Sequence, residues 1–137
     1  MLGRRGEKLA ARVLRELGLD ILARNYRTTR GEIDIVAREG TTLCFVEVKT
    51  RHRSLRSRPA DAVGTAKRQR IIRAAKQYLR EIGRPRIVYR YDIVEVIVRG
   101  RRVEDMRYWR SAFSEEKGRG GLTFPGGPHL EGWDLLE

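Results

Sequence analysis

The chain is 137 residues long, 40% hydrophobic and 35% charged, with a formal net charge of +12. That length accommodates one domain with a real core; no apolar run approaches the roughly 18 residues of a membrane span and no signal pattern opens the chain, so a cytoplasmic protein without membrane attachment is expected. A single cysteine, Cys44, leaves no internal disulfide to form, and the two isolated histidines, His52 and His129, offer no Cys/His spacing for zinc.

Residues 4 to 17 read as an amphipathic helix, with Leu9, Ala10, Val13, Leu14 and Leu17 on one stripe and Gly18 as its stop. Glu7 stands one heptad before Leu14, at the edge of that stripe; favourable placement in a helix's first turn is the alternative explanation for it. Residues 19 to 26 are poorly patterned and are predicted to be a linker, with Ile21 and Leu22 covering a sheet edge. After a turn at residues 28 to 31, a strand is predicted from Glu32 to about Arg38. Glu39-Gly40 is a hairpin signal, and Leu43 to Thr50 forms the next strand.

Side chains alternate faces along a strand. Glu47 and Lys49 therefore point the same way, with Leu43 and Phe45, while Cys44, Val46 and Val48 take the other face. A strand apolar on both faces at its start is expected to be central, and charges at the end of such a strand stand where sheet proteins commonly place active sites. In the preceding strand Asp34 shares parity with Glu32 and Val36, with Ile33, Ile35 and Ala37 expected opposite. A hairpin brings Asp34 across from Glu47 and Lys49. The alternative is a buried or edge salt bridge.

Residues 51 to 63 form a basic loop, and a second helix runs from Gly64 or Thr65 to about Ile82. Its predicted buried stripe is Ile71, Ile72, Ala75, Tyr78, Leu79 and Ile82. Residues 86 to 98 are β-rich, and a turn at residues 99 to 101 leads to a partner strand over residues 103 to 109. Asp92 is the odd member there, open to a structural or a functional reading. Residues 114 to 137 carry six glycines and two prolines without a sustained period, and read as a flexible tail.

Charge is localised. Between Val48 and Arg90 there are 14 Lys/Arg against two acids, which points to a polyanionic partner, nucleic acid first, because each neutralised phosphate releases counterions. Arg51, Arg53, Arg56 and Arg58 of the loop, with Lys67, Arg68 and Arg70 of the second helix, are the expected phosphate-tracking residues. Phosphodiester cleavage needs a nucleophilic water, neutralisation at phosphorus and help for the leaving oxygen. Mg²⁺ or Mn²⁺ on carboxylate oxygens can supply all three. Asp34 and Glu47 are the expected ligands, with the carbonyl of Val48 between Glu47 and Lys49, and Glu7 completing the site from the first helix. Lys49 would orient the water and stabilise the phosphorane.

Gly6-Glu7, Asn25-Tyr26-Arg27, Gly31-Glu32-Ile33-Asp34 and Phe45-Val46-Glu47-Val48-Lys49-Thr50-Arg51, in that order, resemble the bacterial YraN family, with Lys67-Arg68-Gln69-Arg70 also in place. That family is similar to archaeal Holliday-junction resolvases within the PD-(D/E)XK nuclease superfamily. The resemblance covers about residues 3 to 113. It implies an α/β, restriction-endonuclease-like core over residues 1 to 113, a mixed central β-sheet flanked by α-helices. It also implies a catalytic set of Glu7, Asp34, Glu47 and Lys49, and a divalent-metal-dependent DNA endonuclease that favours branched DNA and acts as a homodimer. Gln69 matches a position where some relatives carry a site-supporting polar residue. Tyr91 departs from the family, which usually has Phe there, and the tail lies outside the resemblance. The competing reading is a non-catalytic, basic nucleic-acid-binding protein on a nuclease scaffold, indifferent to divalent ions.

Overall fold

The computed structural model describes residues 2–52 and 63–115. Helix α1 (Leu2–Glu16) buries Ala10, Ala11, Val13 and Leu14, as the 3.6-residue spacing requires. Gly18, at φ 95°, closes it in a Schellman turn, donating to the Arg15 carbonyl while the Leu19 N–H donates to that of Leu14.

The chain then enters strand β1 (Asp20–Arg27), where the sequence predicts a linker. Two irregularities hide the strand's alternation: a register shift between Ile21 and Ala23, and Asn25 in the left-handed region at φ 52°. Ile21 and Ala23 consequently pack on opposite faces of the sheet.

Strands β2 (Glu32–Glu39) and β3 (Thr42–His52) form the expected hairpin, turning through Gly40 at φ 60°. Helix α2 (Thr65–Glu81) carries the chain to β4 (Tyr89–Arg99), which runs parallel to β3 from Leu43↔Tyr89 to His52↔Val98. Strand β5 (Arg102–Phe113) pairs antiparallel with β4. The sheet order is β1-β2-β3-β4-β5, mixed, with β3 in the middle. The expected α/β class and central β3 are therefore observed.

Each face of the sheet has its own core. Under α1 lie Ile35, Ala37, Cys44, Val46, Val94, Val96 and Tyr108. Under α2 lie Ile33, Val36, Phe45, Tyr91, Ile93 and Phe113 with Ile71, Ile72, Ala74 and Ala75 of the helix. Ile82, expected on that stripe, is 44% exposed because it is the C-cap, and a second Schellman turn through Gly83 carries it off the sheet. Aromatic rings knit the α2 face: Phe45 contacts Tyr78, Tyr89 and Tyr91, and Tyr91 stacks on Phe113.

One close approach fixes α2. A Cβ added to Gly31 would lie 2.1 Å from the carbonyl oxygen of Arg70, so the helix backbone rests directly on the turn that precedes β2. Thr28 shapes that turn, its hydroxyl accepting from the N–H groups of Arg30 and Gly31.

Asp92 is structural. It is fully buried and accepts from Arg90, the Tyr108 hydroxyl and the Ser111 N–H, while Glu39 ties Arg90 to Arg110. Beside this network Cys44 is a buried free thiol, pushed up to about 12 by burial first and by the charge of Asp92 second. Of the predicted tail only Ser114 and Glu115 are described; Glu115 accepts from the Tyr89 and Tyr91 hydroxyls and pairs with Lys76.

Candidate active site

The site forms where the β2–β3 ladder stops. Regular pairing runs from Glu39↔Thr42 to Ile35↔Val46, so the next pair would set Asp34 against Glu47. Instead the Asp34 carboxylate accepts the N–H of Val48 at 2.8 Å, a side chain standing in for the neighbouring strand's backbone. Sequence reasoning placed Ile33 on the face of Ile35. The structure corrects this: Ile33 packs with Val36 under α2, because strict alternation fails at the break occupied by Asp34.

Glu47 is 3% exposed and is held by Lys67 of the overlying α2, whose Nζ lies 2.8 Å from its Oε2. The Asp34 carboxyl lies near enough to Glu47 to feel its charge. Burial, then the charge of Glu47, push the Asp34 carboxyl up to about 7, against the opposing pull of the Val48 N–H and Lys67. For Lys67 burial disfavours the charge, but its bond to Glu47 and the nearby acids outweigh that, so its pKa rises.

Glu7 approaches from α1. Gly6 lets the helix start settle on β3 and β4, since a Cβ there would lie 3.3 Å from Thr50 Oγ1 and 3.6 Å from Val96 Cγ2. The Glu7 carboxyl is raised by burial and by the charge of Asp34, and is opposed by a hydrogen bond with the Asn25 side chain. Asn25 sits between Arg24 and Tyr26, which pair with Ile35 and Ile33, so its left-handed residue lies beside the Asp34 break. Strained backbone of this kind concentrates at functional sites.

Lys49 is half-buried and stands in register with Glu95 of β4. Glu95 is itself buried and engaged elsewhere, by Arg51 at 3.0 Å and by the indole N–H of Trp109 at 3.1 Å. Arg51, predicted to track phosphate, is thus drawn inward. Arg68 donates to the Val63 carbonyl and lies over the Phe113 ring; Gln69 is half-buried and Arg70 exposed. Arg53, Arg56 and Arg58 lie outside the described residues.

Asn25 and the inward role of Lys67 are what sequence reasoning missed. Lys67 does carry a signal: it stands one turn before Ile71 and so continues the buried stripe. The spacing argument that singled out Glu7 on α1 applies to it equally.

The donor set suits a hard divalent ion in one respect. Two converging, water-poor carboxylates repel one another and call for a cation, and Mg²⁺ is commonly held by one or two carboxylates and several waters. Among the described residues, no group of three His, Cys, Asp or Glu side chains is placed to hold a metal ion. Glu7 feels the charge of Asp34, and the Val48 N–H is taken by the Asp34 carboxylate, leaving the Val48 carbonyl as the metal ligand expected from the sequence.

The model of the family described as "Uncharacterised protein family UPF0102" matches residues 6–96. The chain belongs to the UPF0102 (YraN) family, within the PD-(D/E)XK-like superfamily. Among relatives, a UPF0102 protein of Chlorobium phaeobacteroides is 41% identical over 121 residues, covering 85% of this chain and 95% of its own. One from Chlorobaculum tepidum is 48% identical over 96 residues, 70% of this chain and 74% of its own. Another, from Syntrophotalea carbinolica, is 50% identical over 103 residues, 75% and 84% respectively. The matched region spans the site residues described above from Gly6 through Glu95, while Trp109 and Phe113 lie beyond it.

Proposed function

We propose that this protein is a divalent-metal-dependent DNA endonuclease built on a restriction-endonuclease-like core, with a preference for branched DNA. The observation that carries the reading is the convergence of Asp34 and Glu47 midway along the central strand, where its ladder with β2 stops, with Lys49 two residues on and on the Glu47 face. Asp34 and Glu47 would hold Mg²⁺ or Mn²⁺, which when bound supplies charge neutralisation at phosphorus and an acidified water. Lys49 would orient that water and meet the phosphoryl oxygens with a compact ammonium. Glu7, steadied by Asn25, would hold hydrogen-bonded water at the rim. The exposed cations of α2, Arg70 and Arg73 among them, give the phosphate backbone a place to lie. A homodimer in the cytoplasm, able to make paired nicks in a junction, completes the proposal.

The test is cleavage of duplex, flap and four-way-junction DNA in Mn²⁺. Wild type should cut the branched substrates first, with Asp34→Ala and Glu47→Ala at background. Equal activity of wild type and both variants sinks the enzyme. Lys67 on Glu47 also satisfies the acid pair without any metal, which favours the second reading, a non-catalytic nucleic-acid-binding protein. That reading requires binding that is salt-sensitive yet unmoved by divalent ions or by loss of the acids.

A further inference from the structure

We propose that Lys67 is an internal counter-cation that competes with the divalent ion for Glu47 and yields that place when a substrate phosphate arrives. The inference rests on the nuclease reading for the identity of both ions.

Three observations support it. First, the Lys67 ammonium lies 2.8 Å from Glu47 Oε2, on a carboxylate whose side chain is only 4% exposed. A divalent ion on the same oxygen would stand within a few ångströms of that ammonium and repel it strongly where water is scarce. The two cations therefore compete for that oxygen.

Second, the lysine has a way out. Its side chain is 42% exposed, so a change of rotamer carries the ammonium to solvent along its four-carbon stem. The helix beneath need not move. Its backbone is seated on Gly31 at Arg70, and Arg68 anchors its first turn to the Val63 carbonyl.

Third, the released ammonium has somewhere to go. Lys67 stands at the start of a helix whose outer surface carries Arg70, Arg73 and Arg80, all exposed. A phosphodiester lying on that surface offers Lys67 a new anionic partner and compensates for the loss of Glu47. Metal and nucleic acid then bind cooperatively, each tightening the other by the same factor.

The experiment titrates Mn²⁺ into the full chain without nucleic acid, reading free Mn²⁺ by electron paramagnetic resonance. The variants are Lys67→Met, Arg73→Met, which loses the same charge from an exposed position on the same helix, and Asp34→Asn. Lys67→Met is expected to tighten Mn²⁺ binding about tenfold, or about 1.4 kcal/mol; Arg73→Met should stay within about twofold, and Asp34→Asn should abolish binding. A non-cleavable phosphorothioate duplex should then tighten Mn²⁺ on wild type and barely change Lys67→Met. If Lys67→Met folds poorly, Lys67→Gln makes the same comparison. Equal affinities for wild type and Lys67→Met, with Asp34→Asn still abolishing binding, overturn the role of Lys67 and leave the nuclease reading intact. An equal gain in Arg73→Met also overturns it, assigning the effect to the protein's general field. Mn²⁺ binding that ignores Asp34 overturns the nuclease reading itself, and this inference with it.

Discussion

The Asp34 carboxylate takes the hydrogen bond of the Val48 N–H at the point where the β2–β3 ladder ends. One side chain thereby does two things. It satisfies a backbone donor that the broken ladder leaves over, and it is fixed next to Glu47 by a bond to the rigid central strand rather than by its own rotamer preference. The cost is that two carboxyl groups are crowded into a partly buried place.

That crowding sets a pH dependence. Asp34 is raised from 3.8 to about 7 in the folded chain, by burial first and Glu47 second. The unfolded chain gives up this proton near its ordinary value, while the folded chain keeps it until about 7. Between those limits the folded state binds more protons, so stability falls as pH rises from about 4 to about 7. Asp34→Asn keeps an oxygen for the Val48 N–H and removes the charge. Without metal, thermal unfolding at pH 8 should show the variant more stable than wild type by roughly 1 kcal/mol, a few degrees in Tm, and the advantage should disappear near pH 4. A wild type as stable as the variant at pH 8 would contradict the crowding.

Gly31 matters for a different reason. A Cβ there meets the Arg70 carbonyl oxygen at 2.1 Å, backbone against backbone, so no side chain can rotate away. Gly31→Ala should force α2 outward and destabilise the fold by about 3 kcal/mol. Chemical denaturation measures that loss. Because Lys67 rides on α2, the same variant should loosen its ion pair with Glu47, visible as faster exchange of the Lys67 ammonium protons by NMR.

The sequence was a good guide where one periodicity ran uninterrupted. It placed both helices, the β2–β3 hairpin and the central position of β3, because Val13 and Leu14 of α1, Ile71 and Ile72 of α2 and the two-sided apolar start of β3 all report burial directly. It failed where the backbone departs from ideal geometry. Strand β1 is an edge strand with a register shift and a left-handed Asn25, so its half-buried residues Ile21, Ala23 and Tyr26 keep neither one period nor one face. The same kind of irregularity moves Ile33 to the α2 face. Within the site, the approach of Asp34 to Glu47 follows from hairpin pairing and was legible. The pairing of Lys67 with Glu47, and of Arg51 with Glu95, depends on how α2 and β4 sit against β3. A lysine beside arginines reads as a solvated face until the helix is docked.

Asn25 offers a test of how Glu7 is held. Asn25→Gly keeps the φ of 52° available at no steric cost and deletes the side-chain amide that favours the charged form of Glu7. Stability should change by less than about 1 kcal/mol. The Glu7 carboxyl, relieved of a bond that favours its charged form, should titrate at higher pH than in wild type, followed by carboxyl ¹³C NMR. An unchanged Glu7 titration would mean that Asn25 has no hold on it.

The far end of the sheet provides the opposite pH behaviour. Glu39 is lowered to about 2, by hydrogen bonds from Arg110 first, against the opposing effect of burial, with Arg90 adding to the pull. Arg110 reaches it with Nη2 at 2.6 Å and Nε at 2.8 Å, and Arg90 with Nη2 at 2.6 Å. Here the unfolded chain takes up the proton first as pH falls. The stabilisation is fully present above the ordinary glutamate value of 4.5 and is lost between about 4.5 and about 2. Glu39→Gln should therefore cost about 2 kcal/mol at pH 7, in the range of hydrogen bonds to charged groups. It should also flatten the acid limb of the stability curve, since the titrating group is gone. Denaturant midpoints at pH 7, 4 and 3 decide the matter: the gap between wild type and variant must narrow with acidification, and a gap that stays constant would show that Glu39 acts by packing rather than by charge.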